Sequence, residues 1–220
     1  GLDLLQKCPR IGDVERDDPV PAVRALYRGM NRLARRYSSP IVGGNISSGP
    51  CWVVTITAVG RLAPATRPIR RNTLRGGETI WVSGAPGCSA AGLAALGRWG
   101  HIERVPREYR HLVHAHTSPA PRIELGERLA RSRGCRGAMD LSDGLAIDCS
   151  RMADASGVGI VLQADRFPLP AAIGALGVQL GVDPLDWVLG GGEDYELIWG
   201  ATARAHYRRA RAGARVPLTA

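Results

Sequence analysis

The chain has 220 residues, 45% of them apolar, and a formal charge of +9. That length and apolar share support one substantial core or two small ones and exclude a disordered chain, while no run approaches the roughly eighteen apolar residues of a membrane span. The charge alone would admit a nucleic-acid partner, but Lys7 is the only lysine and the arginines scatter from Arg10 to Arg215 without interleaved aromatics, so none is expected.

Val23, Leu26, Tyr27, Met30, Leu33, Ala34 and Tyr37 recur at helical spacing, with Pro21 suited to a first turn, and predict an amphipathic helix over 21–37. Its other face carries Arg24, Arg28, Arg32, Arg35 and Arg36 and reads as a solvated stripe. A polar glycine-containing loop follows at Gly43–Pro50, then the β-branched run Trp52–Val59, which predicts a strand. Arg61–Gly77, rich in arginine with interspersed proline and glycine, reads as a linker, and the domain boundary is placed near Arg67: residues 1–66 and 67–220.

Beyond the linker, Thr79–Ser83 predicts a short strand, Gly84–Gly87 a turn and Ser89–Trp99 a small-residue helix. Pro121–Arg133 predicts another amphipathic helix, Gly137–Leu141 a strand, Asp143–Ser156 a helix and Val158–Gln163 a strand. The last elements are a strand at Tyr195–Gly200 and an arginine-rich helix at Ala203–Ala212. Such alternation points to an α/β or α+β fold, without internal repeats.

Cys8, Cys51, Cys88, Cys135 and Cys149 form no CxxC pair and no pairing with histidine, which argues against a metal site and against a disulfide framework. A reducing, cytoplasmic setting suits them, and Gly1–Arg10 lacks the apolar stretch of a secretory signal. His101, His111, His114 and His116 have no carboxylate at ligand spacing and read as solvated loop histidines.

The sharpest local feature is Met139-Asp140-Leu141-Ser142-Asp143-Gly144-Leu145, two carboxylates three residues apart around a hydroxyl at a strand-to-helix junction. Two accounts stay open. Magnesium takes oxygen ligands, usually from one or two carboxylates together with substrate phosphates. Alternatively Ser142 or Asp143 caps the helix that follows, which leaves Asp140 unexplained. Gly190-Gly191-Gly192-Glu193-Asp194-Tyr195 allows close backbone approach to a ligand, or is a plain turn with solvated acids. It fits neither a dinucleotide fingerprint nor a Walker loop, since no GK[ST] occurs. The amides and hydroxyls of Gly43–Pro50 could hold an anion, and Arg70 and Arg71 could clamp phosphate.

Taken together and in order, GGNISSGP (43–50), PIRRNTLRGGETIWVSG (68–84), MDLSDGLAIDCSRMADASG (139–157) and GGGEDYEL (190–197) resemble thiamine-monophosphate kinases. These belong with aminoimidazole ribonucleotide synthetase, selenophosphate synthetase and a hydrogenase maturation factor in one ATP-binding superfamily. The resemblance implies a two-domain fold with a partial N-terminal domain and an α/β C-terminal domain, ATP in a cleft involving both, and a homodimer. It implies ATP- and magnesium-dependent phosphorylation of thiamine monophosphate to the diphosphate. It further implies that Asp140, Asp143 and Asn45 bind Mg2+, that Gly44, Asn45, Arg70 and Ser142 bind ATP, and that Glu193 faces the thiamine substrate. The family's loop ends in Asp where this chain has Asn45, removing one negative charge from a metal ligand set. The family's earlier aspartates and its C-terminal strand region have no counterpart here, so part of a longer protein is expected. A non-catalytic nucleotide-binding relative and a sister ATP-dependent enzyme are the alternatives.

Overall fold

A computed structural model of the chain describes residues 20–49, 51–64, 66–132, 134–167, 169–201 and 218–219. It divides into two compact units, Gly1–Arg61 and Leu62–Ala220.

The described part of the first unit contains one helix, α1 (Val20–Arg36), whose amphipathic pattern is the predicted one. It stops where Ser38 takes a left-handed conformation (φ 52°) and the Ser39 amide donates to the Ala34 carbonyl, the backbone closure that commonly ends helices. The strand expected at Trp52–Val59 does not form. That segment has no strand assignment, and Val53, Ile56 and Val59 are exposed. β-branched residues favour extended backbone, but a strand exists only through a ladder, and among the described residues nothing pairs with this run.

In the second unit the elements run β1 (Thr79–Ser83), α2 (Cys88–Trp99), α3 (Arg110–Thr117), α4 (Ile123–Arg131), β2 (Cys135–Leu141), α5 (Leu145–Ser156), α6 (Ala171–Leu180), α7 (Pro184–Gly190), β3 (Glu196–Ala201) and β4 (Leu218–Thr219). The four strands form one antiparallel sheet in the order β2-β3-β1-β4. Sequence spacing puts helices between strands. What joins β1 and β2 to the late strand β3 is an antiparallel register, Trp81 opposite Trp199 and Asp140 opposite Leu197, so the unit is α+β in character.

Side-chain alternation covers both faces of the sheet. On one face Val82, Leu141 and Ile198 pack with Leu145, Cys149 and Met152 of α5 and Val188 of α7. On the other, Trp199 and Ala201 pack with Leu125 and Leu129 of α4. A third cluster joins Ala91 and Ala95 of α2, Leu112 and Val113 of α3, Ile173 and Leu176 of α6 and Trp187 of α7. Burying one such large apolar side chain contributes roughly 1.5–3 kcal/mol. The small residues of α2 bring it so close to α3 that a Cβ on Gly92 would strike the Leu112 carbonyl.

Three further expectations change. His111, His114 and His116 lie on helix α3 rather than in a loop, and His116 Nδ1 is 3.0 Å from the hydroxyl of buried Ser89. Val158–Gln163 is not a strand: Val158, Ile160 and Leu162 pack on the core with period two, yet no ladder forms, so periodicity reported burial rather than pairing. Arg61–Gly77 is not wholly a linker, because Leu74 is buried and Arg70 makes a parallel bridge to Gly137 of β2. The helix expected at 203–212 lies outside the described residues. Among the described residues no single helix is long and apolar enough to cross a membrane.

Candidate active site

The two sequence features at 139–145 and 190–197 meet. Pairing of β2 with β3 places Leu141 opposite Glu196, and beyond that point the Tyr195 amide donates to the Leu141 carbonyl (2.8 Å) and the Glu193 amide to the Ser142 carbonyl (2.7 Å). To make these bonds the chain takes left-handed backbone at two non-glycine residues, Glu193 (φ 67°) and Tyr195 (φ 50°). Such strain persists only where surrounding contacts impose it and is concentrated at functional sites. Gly192 permits the approach, for a Cβ there would stand 2.6 Å from the Ser142 carbonyl oxygen. Gly192 is therefore a packing device between the two loops, while a Cβ on Gly191 would strike the Trp187 carbonyl and Ala90.

Neither Ser142 nor Asp143 caps α5. The N-cap is Gly144 (φ 110°), with no side-chain cap. Instead Asp148, fully buried in the first turn of α5, reaches back and accepts the amides of Ser142 and Asp143, both at 2.9 Å. A negative charge there is favoured by the helix dipole. This frees the Asp143 side chain for the surface, where it pairs with Arg151, which also bonds Asp148 (3.2 Å).

Asp140, Asp143 and Glu193 are all exposed and surround Tyr195 electrostatically. The Tyr195 hydroxyl donates to Glu193 Oε2 (3.0 Å), and this bond, with burial and the charges of Glu193, Asp140 and Asp143, holds its phenol above the usual range. Asp140 has no hydrogen bond or ion pair among the described residues. The donor set of Asp140 and Asp143 thus fits a hard divalent cation: oxygen ligands, open to solvent, one of them without a protein partner. Among the described residues no group of three or more His, Cys, Asp or Glu that could hold a metal ion occurs.

Other expected residues are placed differently. Arg70 is exposed and bridged to β2 through its backbone, with no side-chain partner among the described residues. In the first unit Gly44 and Asn45 are exposed, and Asn45 Oδ1 accepts the amide of Ile46 (3.0 Å). A cleft of about 340 Å³ lies between residues 74–82 and 158–163, and none of the acidic residues above lines it.

Sequence reasoning missed the acids underneath. Asp194 accepts the amides of Gly87 (2.8 Å) and Ser89 (3.0 Å), capping α2 from the segment that leads into β3, the strand paired with β1. Burial pushes its carboxyl up to about 6, although the two amide bonds pull the other way; the charge of Glu196 adds to the rise. Glu196, buried in β3, takes Arg122 through both oxygens, with Nε at 2.7 Å, and accepts the Ser83 hydroxyl. Asp194 and Glu196 sit at GEDYE positions where only the partner across the sheet distinguishes a ligand from a buttress. Burial raises the thiols of Cys88 to about 11 and of Cys135 and Cys149 to about 12, so these three stay protonated.

Residues 75–189 match the family described as AIR synthase related protein, C-terminal domain. Among curated proteins, the thiamine-monophosphate kinase of Corynebacterium glutamicum is 38% identical over 180 residues, covering 82% of this chain and 54% of that protein. Among solved structures, thiamine monophosphate kinase from Aquifex aeolicus superposes with a TM-score of 0.72 at 26% identity, covering 92% of this chain and 64% of that one. A second, AaThiL complexed with AMPPCP and TMP, gives 0.71 at 29% identity, covering 84% and 58%. The chain spans about half the length of the curated relatives it matches.

Proposed function

Since the chain belongs to the AIR synthase related protein family through its C-terminal domain, we propose that it acts as a thiamine-monophosphate kinase, transferring the γ-phosphoryl group of ATP to thiamine monophosphate. The observation that carries this is the joining of the two acidic loops, which sets Asp140, Asp143 and Glu193 on one exposed rim. The relatives supply the substrate: thiamine-monophosphate kinases cover most of this chain, and one similar structure holds AMPPCP and TMP.

In the transfer the bond from the γ-phosphorus to the bridging oxygen of ATP breaks, ADP leaves, and a new bond forms to a phosphate oxygen of thiamine monophosphate. The acceptor is already an anion, so no strong general base is required. The difficulty is holding two mutually repelling phosphates in line. Magnesium, held by Asp140 and Asp143, would supply the charge neutralisation. Ser142, fixed between the Asp148 carboxylate and the Glu193 amide, presents its hydroxyl to the nucleotide, and Glu193 faces the thiamine portion. Roles for Gly44 and Asn45 in binding ATP and metal, and for Arg70 in binding ATP, rest on the resemblance of their segments. So do a homodimer and a cytoplasmic location.

The test is formation of thiamine diphosphate from thiamine monophosphate, ATP and magnesium by the intact protein. No product across a wide magnesium range removes the proposal. Asn45 favours a second reading, a nucleotide-binding relative without turnover, because its side-chain oxygen is neutral and engaged with Ile46. Calorimetric ATP binding with no product selects that reading.

A further inference from the structure

Arg151 has no part in the roles assigned above, yet it is the cation in contact with a proposed metal ligand. It lies on α5, two turns beyond Asp143, and one of its guanidinium nitrogens touches both the exposed carboxylate of Asp143 and the buried carboxylate of Asp148. The two contacts differ in kind. Asp148 is fully buried and committed to two amides, so it is a fixed anchor. The Asp143 and Arg151 side chains are each about half exposed, at 48% and 49%, so their pair is bathed in water and gives way readily to a stronger partner.

A divalent cation at Asp143 cannot share that carboxylate with a guanidinium without like-charge repulsion. A guanidinium released there remains tethered beside Asp148, next to the loop where phosphate oxygens would gather around the ion. Its planar fork matches phosphate as well as carboxylate.

Resting on the kinase reading of the rim, we propose that Arg151 is an exchangeable counter-ion: it neutralises Asp143 while the metal is absent and turns to a substrate phosphate when metal and substrate bind. Two effects of opposite sign follow for Arg151→Gln. Without nucleotide, Mn2+ used as a paramagnetic probe binds tighter, about 3- to 10-fold, because its competitor is gone. With substrates, KM rises about tenfold for whichever phosphate Arg151 contacts, ATP or thiamine monophosphate, while kcat changes less. Arg151→Lys keeps the charge and loses the fork, so Mn2+ affinity stays near the wild-type value and KM takes an intermediate one.

The experiment is Mn2+ titration followed by electron paramagnetic resonance on the intact wild-type protein and on Arg151→Gln, Arg151→Lys and Asp143→Asn, with KM and kcat measured for each substrate separately. Mn2+ affinity in Arg151→Gln equal to or weaker than wild type overturns the exchange, as does an unchanged KM for both substrates. Weaker Mn2+ binding in Asp143→Asn alongside unchanged binding in Arg151→Gln removes this inference alone. Unchanged binding in Asp143→Asn removes the metal reading of the rim together with it.

Discussion

The second unit holds two sets of acids within a few residues of one another, and they have opposite fates. Asp140, Asp143 and Glu193 form an exposed rim; buried Asp148 and Glu196 and half-buried Asp194 are each occupied by amides, a hydroxyl or a guanidinium. The rim acids keep oxygens open to solvent, even where Arg151 meets Asp143 and Tyr195 meets Glu193, whereas the acids below hold backbone amides, a hydroxyl or Arg122. Buried carboxylates must be satisfied to be tolerated, and here their satisfaction is what shapes the loops that carry the exposed ones. The lesson is that an acidic motif is chemically two things at once, ligand and scaffold.

Substitutions can break this division. The largest effect is expected at the rim: Asp140→Asn and Asp143→Asn each lower turnover by about 100-fold or more while thermal unfolding stays within a few degrees of wild type. Full activity in both would show that the rim is not the site. Beneath it, Asp148→Ala strands the amides of Ser142 and Asp143 and leaves Arg151 without its buried anchor, and should cost about 3 kcal/mol in urea unfolding. Its activity should fall as well, since the loop that presents Asp143 loses its support.

Next comes Glu196→Gln, which replaces a two-oxygen partner of Arg122 by an amide and should cost roughly 2 kcal/mol by the same measurement. The smallest effect sharpens the comparison through pH. Asp194 titrates near 6 when folded and near 3.8 when unfolded, so the native state binds the extra proton between those values. Stability from this group therefore rises as pH falls from about 7 toward 4 and is lost again as pH climbs through 6. Asp194→Asn keeps only one of the two oxygens that take the Gly87 and Ser89 amides, so it lowers stability at every pH, and it should also remove about 1 kcal/mol of that dependence when unfolding is compared at pH 7 and pH 5. Identical pH profiles in the two proteins would mean that Asp194 is not buried in its charged form.

Much of this was legible along the chain where the cause is local. The helices α1, α2, α4 and α5 follow from apolar spacing, and β1, β2 and β3 from short β-branched or apolar runs beside glycine turns. The pair Asp140 and Asp143 stood out because strand-to-helix junctions expose their residues. Helices α3, α6 and α7 escaped notice: α3 is short and rich in histidine, α6 is apolar all round, and α7 has only seven residues, although Asp183 before Pro184 is a cap signal visible in the sequence. The strands expected at 52–59 and 158–163 failed for one shared reason, that extended propensity is a property of a segment and a ladder is a property of two.

By itself, then, the order of residues determined which segments coil, which extend, where loops open, and which family the motifs resemble, since each depends on neighbours within a few positions. The tertiary structure alone decided that the sheet is antiparallel, that Gly192 packs on the Ser142 loop, and which acids face water. Those outcomes depend on burial and on partners as far apart as Ser83 and Glu196, 113 residues along the chain. Aspartate and glutamate read the same in sequence whether their lone pairs go to amides in the interior or remain available at the surface, and only the fold distributes the partners.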